Sequence, residues 1–193
     1  MKYISELDMV KKDGYMIQHI NNPSDEVKLA AVKQDGNAIK FINSCASEEI
    51  KLAALRQNGY AIEYINEPTE EMKLIALHQN GCAIKYISCA SEEMKLIAVK
   101  RNECAIEHIS NPSKKLQLTV VKQNGYAIRY IKNPPKEVQL ASLWDFRARK
   151  YVVYGLELPT IHYKWIHDCP EKYFRKNLKN RTKKYSDITF FCF

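Results

Sequence analysis

Five stretches of this sequence read nearly alike: VKLAAVKQDGNAIKFI from residue 27, IKLAALRQNGYAIEYI from 50, MKLIALHQNGCAIKYI from 72, MKLIAVKRNECAIEHI from 94 and LQLTVVKQNGYAIRYI from 116. Gly14, Gly36, Gly59, Gly81 and Gly125 follow one another at 22, 23, 22 and 44 residues, with Glu103 at the missing position and one extra residue in the loop NSCAS. A fixed period in the twenties is the mark of stacked supersecondary units, none of which can bury its apolar side alone. Such a chain is restricted to architectures in which each unit packs chiefly on its neighbours.

Each unit parses into two helices. Ser24, Ser47, Thr69, Ser91 and Ser113 stand where an N-cap is needed, and most are followed by acids that suit a helix N-terminus. Asn22, Asn111 and Asn133, each followed by proline, are alternative caps one turn earlier. Val27, Ala30 and Ala31 form an i, i+3, i+4 stripe that Leu29 and Val32 widen, as expected for a helix packed on both sides. The first helix is expected to stop at QDG or QNG, with glycine taking the left-handed conformation after the helix end. NAIKFI and its counterparts then supply a second helix of about six residues, too short to stand without neighbours. Two isoleucine columns, Ile17 to Ile128 and Ile20 to Ile131, and a leucine column from Leu7 to Leu140 are expected to form one continuous core. At RNEC, where Glu103 replaces glycine, a local change is expected, not a break.

The repeat wording resembles a family of short bacterial and viral repeats of unknown function, whose members read much like LAAVKQNGYAIKYI and are common in phages and giant DNA viruses. The resemblance covers roughly residues 5–145 and is carried by the QNGYAI core. It implies an all-α fold, an α-solenoid of about six two-helix repeats. It brings no catalytic residues, and the occurrence in phages points to a small viral or bacterial effector that inhibits a host complex.

The chain has 193 residues and a net charge of +8, unevenly spread. Residues 1–146 hold 19 Lys and Arg against 18 Asp and Glu, whereas residues 147–193 hold 11 against 4 together with 10 of the 20 aromatic residues. That break sets the expected domains: a helical-repeat solenoid over 1–146 and a basic, aromatic C-terminal cap over 147–193. The N-terminus lacks the apolar stretch of a secretory signal, no apolar run reaches membrane-spanning length, and the six cysteines lack disulfide-scaffold spacing. The expectation is a cytoplasmic protein with free thiols.

Partner-reading positions are sought on exposed columns. Asp25/Glu26, Glu48/Glu49, Glu70/Glu71 and Glu92/Glu93 form an acidic ridge that reverses at Lys114/Lys115. Lys28, Lys51, Lys73 and Lys95 read as a solvated face with weak ion pairs. Lys40, Glu63, Lys85, Glu107 and Arg129 alternate in sign and are expected to pair between adjacent repeats, without a binding role. His19, Phe41, Tyr64, Tyr86, His108 and Tyr130 make one ladder. Tyr15, Asn37, Tyr60, Cys82, Cys104 and Tyr126 make a second, just after the turn. Tyrosines give large contact area at low entropy cost, so the post-turn ladder, with the acids Glu48, Glu49, Glu70, Glu71, Glu92 and Glu93, is the expected protein-binding surface.

In the last 47 residues, Lys172, Arg175, Lys176, Lys179, Arg181, Lys183 and Lys184 are interleaved with Tyr173, Phe174 and Leu178. A basic stretch with aromatics attracts nucleic acid through counterion release, the alternative function, while its simplest role is to cover the end of the stack. His162, His167, Cys169 and Cys192 fit no zinc spacing, so no metal is expected. No phosphate-binding loop or dinucleotide glycine pattern is present. The reading is a non-catalytic protein-binding scaffold without cofactor, membrane contact or small-molecule substrate.

Overall fold

The structure is a computed structural model that describes residues 5–145, 147, 148 and 152. The described residues contain α-helices and 3-10 helices that alternate, except that two 3-10 helices follow α2, and no strand. The α-helices are α1 (Glu6–Lys12), α2 (Asp25–Gln34), α3 (Glu48–Gln57), α4 (Glu70–Gln79), α5 (Glu92–Arg101), α6 (Lys114–Gln123) and α7 (Lys136–Ser142). The 3-10 helices are η1 (Gly14–His19), η2 (Gly36–Phe41), η3 (Asn43–Cys45), η4 (Gly59–Tyr64), η5 (Gly81–Tyr86), η6 (Glu103–His108) and η7 (Gly125–Tyr130). The extra residue of NSCAS is taken up by the three-residue η3.

The chain divides into two compact units between Ile109 and Ser110. In the first, α1 packs on α2, α2 on α3, α3 on α4 and α4 on α5, while η1, η2, η4, η5 and η6 pack in the same order. η1, η2, η4 and η5 each also pack against the α-helix of the following pair. In the second unit, α6 packs on α7 and η7 on both.

Capping follows the sequence. Ser24, Ser47, Thr69, Ser91 and Ser113 each accept a hydrogen bond from the backbone N–H three residues on, at 3.2–3.4 Å. Asn22, Asn111 and Asn133 are not caps. With Glu67 and Cys89 they occupy the left-handed region, at φ between 49° and 55°, in the loops after η1, η4, η5, η6 and η7. Asparagine tolerates that conformation because its short side chain can bond locally.

The turn after the first helix departs from expectation. No glycine of the repeat lies in the left-handed region. The residue before it, Asp35 at φ −143° or Asn58 at φ −145°, is extended and caps the 3-10 helix through its side chain. Glycine is needed for space. A Cβ on Gly36 would sit 2.5 Å from the Ala54 carbonyl oxygen of α3, and one on Gly81 would sit 2.1 Å from that of Ala98 in α5. The second helix is 3-10 because six residues closing i→i+3 bonds, such as Ala38 N–H to Asp35 O at 2.9 Å, form a compact spacer of two turns.

The isoleucine columns are buried, apart from a half-buried Ile20. The leucine column is not core: Leu29, Leu52, Leu74, Leu96 and Leu118 are half-buried on the flanks of their helices, and only Leu140 is buried. The deepest α-helical positions are the pairs Ala31/Val32, Ala54/Leu55, Ala76/Leu77 and Ala98/Val99, all fully buried. Each buried isoleucine contributes on the order of 1.5–3 kcal/mol through burial. The small alanines let the 3-10 helix of the preceding pair approach the α-helix backbone.

Candidate functional site

A polar ladder fixes the order of the pairs before any surface is considered. The buried Gly36 N–H donates to Gln57 Oε1 at 2.6 Å, and Gln57 Nε2 donates to the Gln34 carbonyl at 3.3 Å. Gly14 bonds Gln34 at 2.8 Å and Gly59 bonds Gln79 at 2.7 Å in the same way. The QNG triplet thus has three separate tasks. Glutamine reaches back to the preceding pair, aspartate or asparagine caps its own 3-10 helix, and glycine admits the next helix. At RNE, Arg101 replaces the glutamine, and Asn102 Oδ1 accepts from Gly81 N–H at 2.7 Å instead. Asn102 consequently makes no side-chain cap for η6, which is the local change expected at that position.

The candidate surface lies on the 3-10 helices. A 3-10 helix repeats every three residues. Gly36, Ile39 and Ile42 therefore face inward together, leaving Asn37, Lys40 and Phe41 at or near the surface. In the first unit the structure brings Tyr60 beside Cys82 and Cys82 beside Cys104, members of the post-turn ladder one repeat apart. Asn58, the cap before Tyr60, donates to Asn37 Oδ1 at 3.0 Å, and the sulfurs of Cys82 and Cys104 lie 2.9 Å apart. Tyr15 and Tyr60 meet members of the other ladder edge to face. Tyr15 is 5.7 Å from Phe41 and Tyr60 is 6.1 Å from Tyr86.

The alternating charge column behaves differently from expectation. Among the described residues no ion pair joins Lys40, Glu63, Lys85, Glu107 and Arg129. The cations stack on rings. Lys40 Nζ lies 4.6 Å from the Tyr15 ring centre and 4.7 Å from that of Phe41, and Lys85 Nζ lies 4.9 and 4.4 Å from Tyr60 and Tyr86. A ring face attracts a cation without the desolvation that a buried carboxylate would demand. The result is a two-pair period. Clusters of two rings and a cation, Tyr15/Lys40/Phe41 and Tyr60/Lys85/Tyr86, alternate along the first unit with acids at Glu63 and Glu107. In the second unit Arg129 stacks on Tyr126 and Tyr130, each 4.4 Å away, and bonds both hydroxyls. The sequence reading placed these cations in one alternating column and expected ion pairs; it missed their stacking on the rings of the two ladders.

The electrostatics agree with the geometry. Lys85 is held above the ordinary lysine pKa, first by its hydrogen bond to the Tyr86 hydroxyl, with burial working the other way. Burial raises Tyr60, helped by nearby Cys82 and opposed by Lys85. Phe41 is the exposed large apolar residue among those described, at 38%.

The acids Glu48, Glu49, Glu70, Glu71, Glu92 and Glu93 are exposed in the first turns of α3, α4 and α5. Glu70 and Glu92 pair with Lys73 and Lys95, as Asp25 does with Lys28, at 2.6–2.9 Å. The lysine column is not a solvated face: the Lys28 side chain is only 13% exposed, with its stem laid against the protein. In the second unit the reversal to lysine is met by an ion pair from Lys114 to Glu137 of α7 at 2.5 Å. A cavity of about 280 Å³ beside Glu63, Glu67, Lys73 and Tyr86 mixes both signs of charge.

Among the described residues, no three His, Cys, Asp or Glu side chains converge as metal ligands would, and no helix is long and apolar enough to cross a membrane. The basic residues Lys172 to Lys184, and His162, His167, Cys169 and Cys192, lie outside the described residues.

A family model described as Domain of unknown function (DUF4116) matches residues 24–68, two successive helix pairs from the cap of α2 to the loop after η4. Comparison with curated proteins and with solved structures finds no match.

Proposed function

We propose that this chain is a non-catalytic α-solenoid scaffold, capped by residues 147–193, that grips another protein through the surface of its 3-10 helices. The observation that carries the reading is the pair of clusters Tyr15/Lys40/Phe41 and Tyr60/Lys85/Tyr86. Each offers aromatic area at low entropy cost together with a cation already positioned over the rings. Glu63 between them and Glu107 beyond them give the surface an alternating charge, which selects a partner of matching alternation and disfavours one of a single sign. The resemblance to repeats common in phages extends this to an inhibitor of a host complex in the cytoplasm, and the resemblance alone supports that step.

Nucleic-acid binding is the second reading, favoured by the charge segregation: residues 147–193 carry 11 basic against 4 acidic residues. One experiment separates the two. The full chain, its Lys40→Glu/Lys85→Glu variant and a variant with Lys172, Arg175, Lys176, Lys179, Arg181, Lys183 and Lys184 changed to glutamine are used for capture from cells of the source. Bound protein and nuclease-sensitive material are then measured. The proposal expects a specific protein that the first variant loses and the second keeps. Recovery of nucleic acid that the second variant alone loses would replace it with the alternative.

A further inference from the structure

Cys82 and Cys104 are the second residues of η5 and η6, one repeat apart in the same ladder, and these two helices pack directly on each other. Their sulfurs are 2.9 Å apart and both are free thiols. A disulfide requires about 2.05 Å, so closure asks for a movement of roughly 0.9 Å. A second observation shows where that movement is available. Tyr15, Asn37, Tyr60 and Cys82 each donate their backbone N–H to the preceding aspartate or asparagine side chain. That cap is missing for η6, because Asn102 is turned to Gly81. The backbone N–H of Cys104 thus lacks the side-chain cap that holds its counterparts in the preceding pairs. Cys104 is half-buried and within reach of solvent, whereas Cys82 is buried.

We propose that Cys82 and Cys104 form a dithiol site whose substrate is a small-molecule disulfide, and that exchange with it closes a covalent link between the fourth and fifth helix pairs. The Cys104 thiolate attacks one sulfur of R–S–S–R, forming a mixed disulfide and releasing one thiolate that takes up the Cys104 proton. Cys82 Sγ then attacks Cys104 Sγ and loses its proton to the second departing thiolate. Two protein thiols and one disulfide become one protein disulfide and two small thiols, so electrons and protons balance. Burial, followed by the neighbouring Cys104, pushes the Cys82 thiol up to about 12, so the first attack falls to the half-buried Cys104, and Cys82 attacks only once the mixed disulfide is held beside it. The proposal is independent of what the repeats bind.

The test incubates the full chain with mixtures of reduced and oxidised glutathione, blocks remaining thiols with N-ethylmaleimide and maps the products by peptide mass spectrometry. A peptide pair joined through Cys82 and Cys104, lighter by two hydrogens, is expected at mixtures that leave the exposed Cys45 and Cys89 as thiols or singly glutathionylated. The variant Cys82→Ser should trap Cys104 as its glutathione mixed disulfide, and Cys104→Ser should leave Cys82 a free thiol. The midpoint of thermal unfolding should rise on oxidation of the wild-type chain and stay unchanged in both variants. Glutathionylation of Cys45 and Cys89 without a joined peptide would overturn the proposal. So would a Cys104 product that is the same with and without Cys82.

Discussion

Replacing Gly36 with alanine separates two explanations of the repeat glycine. If glycine were only a flexible turn residue, alanine would be harmless or helpful, because the backbone is not left-handed there and a less flexible unfolded chain contributes roughly 0.4–1 kcal/mol of stability. The structure places the new methyl group 2.5 Å from the Ala54 carbonyl oxygen, where ordinary contact begins at 3.4 Å, a shortfall of about 0.9 Å. The obstacle is helix backbone and cannot swing aside. Relieving it moves η2 away from α3 and stretches the 2.6 Å bond from Gly36 N–H to Gln57. Overpacking of this kind costs about 1–3 kcal/mol. After subtracting the unfolded-state gain, Gly36→Ala should lose about 1–2 kcal/mol. With a urea slope of about 2 kcal/mol/M, the unfolding midpoint followed by circular dichroism should fall by roughly 0.5–1 M. A midpoint equal to or above that of the wild-type chain would refute the close-approach explanation.

Gln79→Ala should cost about 1–3 kcal/mol in the same assay, since it leaves the buried Gly59 N–H without its acceptor at 2.7 Å. Asp145 supplies a pH prediction for the second unit. Burial acts to raise its pKa, but hydrogen bonds from the Arg147 side chain and backbone and from Tyr126 N–H outweigh it and hold the carboxyl below the usual range. A folded value below the unfolded one means that the stabilisation is complete above the unfolded pKa near 3.8 and is lost as pH falls through the lower folded value. Thermal midpoints measured from pH 5 downward should therefore drop more steeply for the wild-type chain than for Asp145→Asn.

The alternation of helices and the inward isoleucines were legible because both depend on local rules, capping chemistry and spacing along one chain. The serine caps, such as Ser91 on Met94 N–H, follow directly from SEEM and its counterparts. What the sequence concealed lies between repeats. Gly36 resembles any helix-ending glycine until the Ala54 carbonyl is seen against it. Gln57 looks like a surface residue until both ends of its amide are found on the preceding pair. Lys40 and Glu63 suggest an ion pair by sign alone, whereas the position of the Tyr15 and Phe41 rings sends the ammonium elsewhere. Leu29 and its equivalents are apolar at every repeat, yet their place on the helix flank leaves them half-buried. Hydrophobicity alone does not distinguish a flank from a core.

Residue-resolved amide hydrogen exchange on the full chain tests most directly whether each helix pair is locked to the next. Gly14, Gly36, Gly59 and Gly81 open their 3-10 helices, where N–H groups lack partners within the helix and would exchange at loop rates. Because each is held by a side chain of the following pair, all four should be protected to a degree comparable with the central amides of α2, α3 and α4. Exchange of these four glycines as fast as exposed loop amides would show that the pairs are not joined in this way.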